Sequence, residues 1–594
     1  MSYNAMLRSD NVIRNHEGAK AWMQSPEFEL YSTVACTMSI DDKFYESATD
    51  RINRIAALVR LVPAEFVAQL AVYARTEMHL RSVPMLLLVE LSQCHSGDSL
   101  VSRATAKAIQ RVDDITELLS CYQMRHRARS LKRLSNQLLK GIAMAFCKFD
   151  EYQFAKYKEA GKPVTLRDAL FLAHPKAESE EQQELFDKIA RRQLKTPYTW
   201  ETQLSEAGKT KGLGRRQRKK LMRKVWTELI ESRRMGYMAM LRNLNNMLSA
   251  KVDEKTMQIV YDYLSNEQAV QRSKQLPFRF LSAYLMLESN NDDRWYRLQQ
   301  IWLRKQNLLR AIKRLQHIIT VKRKVVRRRH KLSLMALRLH NAGLGEVMHW
   351  HCVKKQEVWL PRTRFSSHRS KFIAYCHRQR AMLEPDKQCL ETAVKHSAAN
   401  IPAFDSDTRV CIACDTSGSM FRPVSRNSII QCYDIGLLFG AMMNYRCRNA
   451  VVGMFGDDWL PVEMPSENII ENVIEMRSKA GLVGYATNGH KAIDWLCDEG
   501  KVMDKVLIFT DCQFWNFGYG NHSLAKSWAK YKSTVAPDAK LYLFDLAGYG
   551  QNPIDVDHEK DVYMIAGWSD KVFHMLAALE KGSSAIDEIR RIVV

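Results

Sequence analysis

The stretch V-C-I-A-C-D-T-S-G-S-M, Val410 to Met420, constrains what this chain can fold into more than any other. Its apolar run has no helical period and stops at a small polar loop, the pattern of a strand buried on both faces of a parallel sheet. A helix is expected after the loop. Asp415, Ser417 and Ser419 form D-x-S-x-S, which places one carboxylate and two hydroxyls on a tight turn at the strand's carboxyl end. Hard oxygens of this kind suit Mg2+, which takes six oxygen ligands and gives up its waters reluctantly. Taken alone, the same residues also suit a helix N-cap, where Ser and Asp satisfy free N–H groups.

Two further segments favour the metal. Thr487 lies in G-Y-A-T-N-G before a helical stretch, and Asp511 ends the apolar strand V-L-I-F-T-D. In an open parallel sheet both reach the crevice beyond the strand ends, where such folds bind ligands. Asp415, Ser417, Ser419, Thr487 and Asp511 are therefore read as one site for a divalent cation, Mg2+ by its ligand chemistry. Two aspartates roughly neutralise the ion and leave it electrophilic toward a sixth ligand from outside, such as a partner's carboxylate or phosphate. The set resembles the metal-ion-dependent adhesion site of von Willebrand factor A domains.

The surrounding pattern agrees. From Asp405 onward, strands at 450–455, 506–510, 541–545 and near Val562 alternate with helices at 428–445, 469–478, 491–498, 524–531 and 571–579, which predicts a doubly wound parallel sheet over 405–594. This part carries 25 acidic and 19 basic residues, a net of −6. The whole chain has 89 basic and 65 acidic residues, so the part before it holds 70 and 40, a net of +30. A polyanion is the partner such a charge suits, and it belongs to the N-terminal part.

Thirteen cysteines are scattered without a spaced framework, and neither a signal peptide nor a bilayer-spanning apolar run is visible, so a cytoplasmic, reducing home is expected. Cys411 and Cys414 form C-x-x-C inside the strand leading to Asp415, which makes them core thiols rather than a redox pair. His349, His351, Cys352, Cys376 and His377 lack the paired spacing of a zinc site.

Before residue 400 the pattern is helical. The first fifty residues show no period and are expected to form an arm. From Arg51 an amphipathic run leads to Pro63 at a helix start, then to a helix with Phe66, Leu70, Tyr73 and Ala74 on one face. Further helices are expected at 83–92, past Leu138, Ile142 and Phe146, and at 166–173, 235–248 and 278–288. Strands are hard to find here, which predicts an all-α array of antiparallel pairs stacked as in a solenoid.

Two stretches, K-Y-K-E-A-G-K-P-V-T-L-R-D-A-L-F-L-A-H-P-K from Lys156 and M-G-Y-M-A-M-L-R-N-L-N-N-M-L from Met235, resemble the TROVE module of the Ro autoantigen and its bacterial relatives. The resemblance implies a HEAT-like α-helical repeat ring over 1–400, closed by the A domain. It also implies a ribonucleoprotein subunit that binds small non-coding Y-type RNA outside and single-stranded ends of misfolded RNA in the central hole, for RNA quality control. An exoribonuclease partner and a monomeric ring are part of that expectation. Lys156, Lys158 and His174 match family positions on the RNA-binding surface; where the family often has Arg after the lysine segment, this chain has Ala160. Each also has a plain reading, lysines on a solvated face and His174 at a helix C-terminus.

Two basic segments, near 205–225 and 295–400, look like insertions in that pattern. Lys209 to Lys224 is basic on every helical face, leaving no apolar stripe, and is expected to be a loop or a fraying helix. Between Asp293 and Glu346 no acidic residue occurs, and Trp295, Tyr296, Trp302 and His317 are interleaved among arginines and lysines. Such residues neutralise phosphates and stack unpaired bases. Lys140, Lys156, Lys158, His174, Arg215, Arg216, Lys219, Arg327, Arg328 and Arg329 are the candidate RNA contacts.

Two other functional classes remain. A metal-dependent hydrolase would use Asp415 and Asp511, but two-metal hydrolysis needs more bridging carboxylates and a general base that the sequence does not place, so no catalytic residue is assigned. The other is an A domain acting as a metal-dependent docking module for a nuclease or another protein.

Overall fold

The computed structural model describes residues 12–37, 41–126, 131, 134–157, 164–210, 212–288, 384–399, 405–425, 428–447, 449–464, 467–515, 523–556, 559, 561–567 and 571–594. The chain divides into two compact units, one of residues 1–284 with 389–594 and one of 285–388. Of the second, residues 285–288 and 384–388 are described; Lys387 Nζ pairs with Glu288 there at 2.9 Å.

Residues 12–37, expected to belong to an arm, are ordered into a hairpin and a helix. Residues Val12–Arg14 (β1) and Lys20–Met23 (β2) form an antiparallel hairpin, and β2 pairs in turn with Gln551–Asn552 (β8) to make a three-stranded sheet. Strands of three and four residues are too short to show an alternating pattern. Their stability comes from a partner more than five hundred residues away, which no local signal reveals.

A helical array follows. It comprises α1 (Pro26–Ala35), α2 (Ala48–Leu61), α3 (Ala64–Thr76), α4 (Ser82–Cys94), α5 (Leu100–Ala108), α6 (Val112–His126) and α7 (Asn136–Phe146). Next come α8 (Glu151–Lys156), α9 (Leu166–Ala173), α10 (Glu180–Ala190), α11 (Trp200–Lys209), α12 (Arg215–Glu231), α13 (Tyr237–Ala250), α14 (Glu254–Ser265) and α15 (Glu267–Ser273). Many starts carry a side-chain cap: Ser25, Ser47, Ser135, Asp150, Thr165, Ser179 and Asp253 each accept from a backbone N–H of the first turn. Each such cap contributes about 1 kcal/mol to its helix. Near neighbours in sequence pack together: α3 with α4 and α5, α4 with α6, α5 with α7, α11 with α12. Gly141 lets α7 approach α5, since a Cβ there would lie 2.5 Å from Thr105 Cβ.

Of the two expectations for Lys209–Lys224, a loop or a fraying helix, the structure has a helix for the part from Arg215. Residues 215–231 form one continuous helix, α12, with Gln217 Oε1 accepting from Gly214 N at 3.0 Å. Trp226, Leu229 and Ile230 are buried and anchor its second half. The first half extends from that anchor because Arg, Lys, Gln, Leu and Met all propagate a helix well once one is nucleated.

The A domain has a six-stranded sheet of order β5-β4-β3-β6-β7-β9. Its strands are β3 (Arg409–Asp415), β4 (Asn449–Phe455), β5 (Trp459–Pro461), β6 (Lys505–Thr510), β7 (Lys540–Asp545) and β9 (Val562–Ala566). All neighbours run parallel except β5, which pairs antiparallel with β4. The sheet is therefore mixed, not wholly parallel as the alternation predicts. A three-residue edge strand reached by a tight turn leaves no crossover helix to announce it.

Five further helices belong to this domain: α17 (Cys432–Arg446), α18 (Ile469–Lys479), α19 (His490–Asp498), α20 (Leu524–Thr534) and α21 (Lys571–Glu580). They follow α16 (Glu384–Ala399), and α22 (Ala585–Arg590) comes last. Cys411, Val506, Ile508, Leu541 and Leu543 turn one face of the sheet toward Ile493, Leu496, Trp528 and Tyr531. The other face meets α17 so closely that a Cβ on Gly440 would lie 3.1 Å from Cys414 Sγ. Cys411 and Cys414 are fully buried and neither forms a disulfide, and burial raises both thiols well above their usual range, as core cysteines require.

The N-terminal helices and the A domain are joined by buried polar contacts. Tyr31 Oη donates to Ala566 O (3.0 Å), and Arg51, almost fully buried, donates to Ala547 O (2.7 Å), to Thr37 Oγ1 (3.0 Å) and to Glu46 (2.8 Å). Gln69 Nε2 reaches Arg590 O at 3.0 Å, so α22 rests on α3.

Candidate metal centre and basic surfaces

The carboxyl ends of β3 and β6 bring the oxygen-bearing side chains together. Asp415 is the last residue of β3 and is 1 % exposed; its Oδ1 accepts from Ser417 N (2.8 Å) and its Oδ2 from Thr510 Oγ1 (2.6 Å). Ser417 and Ser419 place their hydroxyl oxygens 3.3 Å apart. Ser419 hydrogen-bonds to Asp511, whose Oδ1 also accepts from Gln513 N at 3.1 Å. Four of the five residues thus form one continuous polar cluster, buried at the carboxyl ends of the central strands.

Thr487, also buried, arrives on the loop before α19. That loop is tied to both others: Gly418 N donates to Tyr485 O (2.9 Å) and Trp515 N to Thr487 O (3.1 Å). Gly484 has φ +79°, and a Cβ on Gly456 would lie 2.4 Å from Gly484 O. Only two glycines allow the loop to lie this close to the end of β4.

The electrostatics describe what the cluster lacks. Burial pushes the Asp415 carboxyl above the usual carboxylate range; burial and the nearby charge of Asp415 push Asp511 up as well, with the Ser419 hydrogen bond opposing. Two buried carboxyls facing each other are costly to ionise together without a cation between them. Hydroxyls from Ser417 and Ser419 beside them complete a donor set of hard oxygens, which fits a small divalent ion. Among the described residues no group of three or more His, Cys, Asp or Glu has metal-ligand grouping, so the site rests on two carboxylates plus hydroxyls.

Three contributors carry no role in the sequence reading. Thr510 holds Asp415 directly, yet it looks like the last residue of a β-branched strand. Asp545 ends L-Y-L-F-D just as Asp415 and Asp511 end or follow their strands, a visible signal; its Oδ1 caps the next loop, accepting from Ala547 N (2.9 Å) and Gly548 N (2.8 Å). The third contributor is the segment 42–44, which lines the space above Ser419 and Asp511.

The candidate RNA contacts are spread over the helical part. Lys140 and Lys156 are exposed on α7 and at the end of α8. Next to Lys156, Tyr157 has the Arg111 guanidinium 4.9 Å from its ring centroid. His174 is exposed and caps α9 with φ 46°, its N–H donating to Leu170 O at 3.0 Å. His tolerates that left-handed conformation better than most residues, so the helix end itself accounts for this position. Arg215 begins α12, and Arg216 and Lys219 are exposed on it, as are Arg218, Lys220, Arg223 and Lys224. Lys158, Ala160, Arg327, Arg328 and Arg329 lie outside the described residues, as do the histidines and cysteines between His349 and His377.

Two exposed arginine–aromatic pairs extend this surface. Arg167 lies 5.2 Å from the ring centroid of Phe171, and Arg234 4.7 Å from that of Tyr198. Both rings are exposed, and such planes stack unpaired bases. The first pair has the i,i+4 spacing that a helix brings together, so it was legible in the sequence.

Comparison with known proteins adds to this geometry. The TROVE domain family matches residues 190–405, and the Ro60 vWA domain family matches residues 409–579. The second span contains all five candidate metal ligands, and the first contains α12 and runs across the block at 295–400. Telomerase protein component 1 of Rattus norvegicus is 24% identical over 537 residues, and that of Mus musculus 22% over 544; each match covers 76% of this chain and 19% of the other. The chain thus spans about a fifth of the length of these relatives. The crystal structure of the Deinococcus radiodurans RO (RSR) protein superposes with a TM-score of 0.51 at 16% identity, covering 94% of this chain and all of that one, a likeness of fold.

Proposed function

We propose that this chain, a Ro-like protein with a TROVE domain joined to a Ro60-type von Willebrand factor A domain, is an RNA-binding, non-catalytic ribonucleoprotein subunit. Its helical part binds small non-coding Y-type RNA and single-stranded ends of misfolded RNA, in RNA quality control or processing. The observation that carries this reading is the pairing of the two families in one chain. Support comes from charge: the N-terminal part has a net of +30, and Arg216, Arg218, Lys219, Lys220, Arg223 and Lys224 are exposed on α12. Phosphates are the counter-charge such a surface suits. The exposed pairs of Arg167 with Phe171 and Arg234 with Tyr198 suit the unpaired bases of an RNA end.

In the A domain, Asp415, Ser417, Ser419, Thr487 and Asp511 would hold a divalent cation, Mg2+ by donor type. Bound there, it would supply positive charge that the two buried carboxyls otherwise lack. Hydrolysis is not assigned to it, because a second bridging metal would need further carboxylates; of Asp545, Oδ1 is taken up by its own loop. In this reading the protein works in the cytoplasm as a monomer, and the free thiols of the described cysteines suit a reducing compartment. An exoribonuclease recruited through shared RNA is the protein partner this reading favours.

The test is to sequence RNA that copurifies with the native protein and to measure its binding over a salt series. Structured small RNA whose affinity falls steeply with salt is expected. RNA-free protein, or binding equal at low and high salt, overturns the reading.

A further inference from the structure

One wall of the proposed cation site comes from outside the A domain. A small cavity of about 20 Å3 lies over Ser419 and Asp511, and Asp42, Lys43 and Phe44 line it opposite Arg422. That volume accommodates about one water-sized occupant, not the side chain of another protein. An outside ligand approaching Ser419 and Asp511 from this side would therefore meet the chain's own residues first.

The covering segment, residues 41–47, is fastened to the A domain along its length. Arg422 Nη2 donates to Asp42 O at 3.1 Å, and its guanidinium lies 5.9 Å from the Phe44 ring centroid. Tyr45 N donates to Tyr549 Oη at 3.5 Å, and the two rings meet edge to face at 5.5 Å. Glu46 pairs with Arg51 and Arg54 at 2.8 Å each, and those guanidiniums reach Ala547 O and Gly548 O at 2.7 and 2.6 Å. The segment is also folded on itself: Lys43 N donates to Glu46 O (2.7 Å), and Ala48 N to Asp42 Oδ1 (2.8 Å).

We infer that residues 41–47 form a built-in roof over the cation site, so that cation uptake and docking of this segment are thermodynamically linked. The inference rests on the metal reading above. Linkage is reciprocal: whatever factor the cation adds to docking of the roof, the docked roof adds to cation affinity. The hairpin β1–β2 reinforces the arrangement, since His16 N donates to Gln513 Oε1 (2.9 Å) and the His16 ring stacks on Tyr45 at 4.9 Å. Through His16 the roof is thus tied to the loop that carries Asp511 from a second side.

The experiment uses the full chain and Mn2+ as the probe, with calorimetry for uptake and hydrogen–deuterium exchange for peptides covering 41–47. Saturating Mn2+ is expected to slow exchange in that segment by roughly 5- to 150-fold, the usual range of coupling between linked sites. Arg422→Ala, which removes a fastening and none of the five oxygen donors, is expected to erase most of this protection and to weaken Mn2+ binding by a matching factor. Phe44→Ala is the second variant should the first fail to fold by circular dichroism. Mn2+ uptake with exchange at 41–47 unchanged overturns the roof and leaves the metal reading standing. No Mn2+ uptake at all removes both.

Discussion

The cation site and the first half of α12 handle charge in opposite ways. At the site two carboxyls are buried at the carboxyl ends of the central strands, Asp415 held by Ser417 N and Thr510 Oγ1 and Asp511 by Gln513 N. On α12 a row of arginines and lysines stands in water, with Lys224–Glu228 at 3.5 Å as its one described ion pair. Burial would make the first arrangement specific, because besides a proton only a small cation that fits among the oxygens relieves it. Exposure makes the second general, because any closely spaced row of phosphates will do. The difference teaches that one chain can present charge in two opposite ways, set by dielectric as much as by sequence.

Salt should separate the two regions most sharply. Between 50 and 200 mM salt, RNA affinity is expected to fall by about 10³-fold or more if six or more phosphates are contacted. Mn2+ uptake, read by calorimetry across the same series, should move far less because buried charges are poorly screened. Equal salt slopes for the two would erase the contrast. Next in size is Asp511→Ala, expected to weaken Mg2+ binding on the order of 100-fold while the helical part keeps its circular dichroism, since even residues that only orient ligands cost 10–100-fold. Undiminished uptake in a calorimetric titration would refute the assignment.

On the basic side, the double reversal Arg216→Glu with Lys219→Glu should reduce affinity for structured RNA by roughly 10- to 30-fold at physiological salt and lower the salt slope by about two. A filter-binding series that leaves the slope untouched would return α12 to solvent. The smallest effect concerns pH. Burial holds Asp434 up at about 6 and raises Asp415 and Asp511 as well. Each binds its proton more tightly folded than unfolded, so stability of the metal-free protein falls as pH rises from the ordinary carboxylate range near 4 through these raised values. A melting temperature roughly 2–6 °C lower at pH 8 than at pH 5.5 is expected. Added Mg2+ should flatten that difference, which differential scanning calorimetry would read.

Much of the A domain was legible because its strands are long, apolar and stop at polar loops. The strand ends place Asp415 and Asp511, and the glycine-bearing loop places Thr487, within a residue or so of where the structure has them. The antiparallel β5 was not, being three residues long. Thr510 was hidden because a threonine at a strand end reads as β propensity and not as a hydrogen-bond donor to a carboxylate. The helices of the N-terminal part followed their periodicity, but α12 did not: an apolar anchor at Trp226, Leu229 and Ile230 carries a helix back through ten residues that have no stripe of their own. The hairpin and the roof escaped the sequence reading because both are defined by partners in the A domain, and long-range pairing leaves no local trace.

The composite sheet carries a consequence for how the molecule is made. Gln24 bonds to Asn552 across 528 positions of the chain, beside the pairing of β2 with β8. At ribosomal speeds of about 5–20 residues per second, the nascent hairpin waits roughly 25–100 s for its third strand. During that interval its open edge is available to other chains, so conditions that slow elongation or crowd polysomes should raise the yield of misassembled product well before they affect the mature protein.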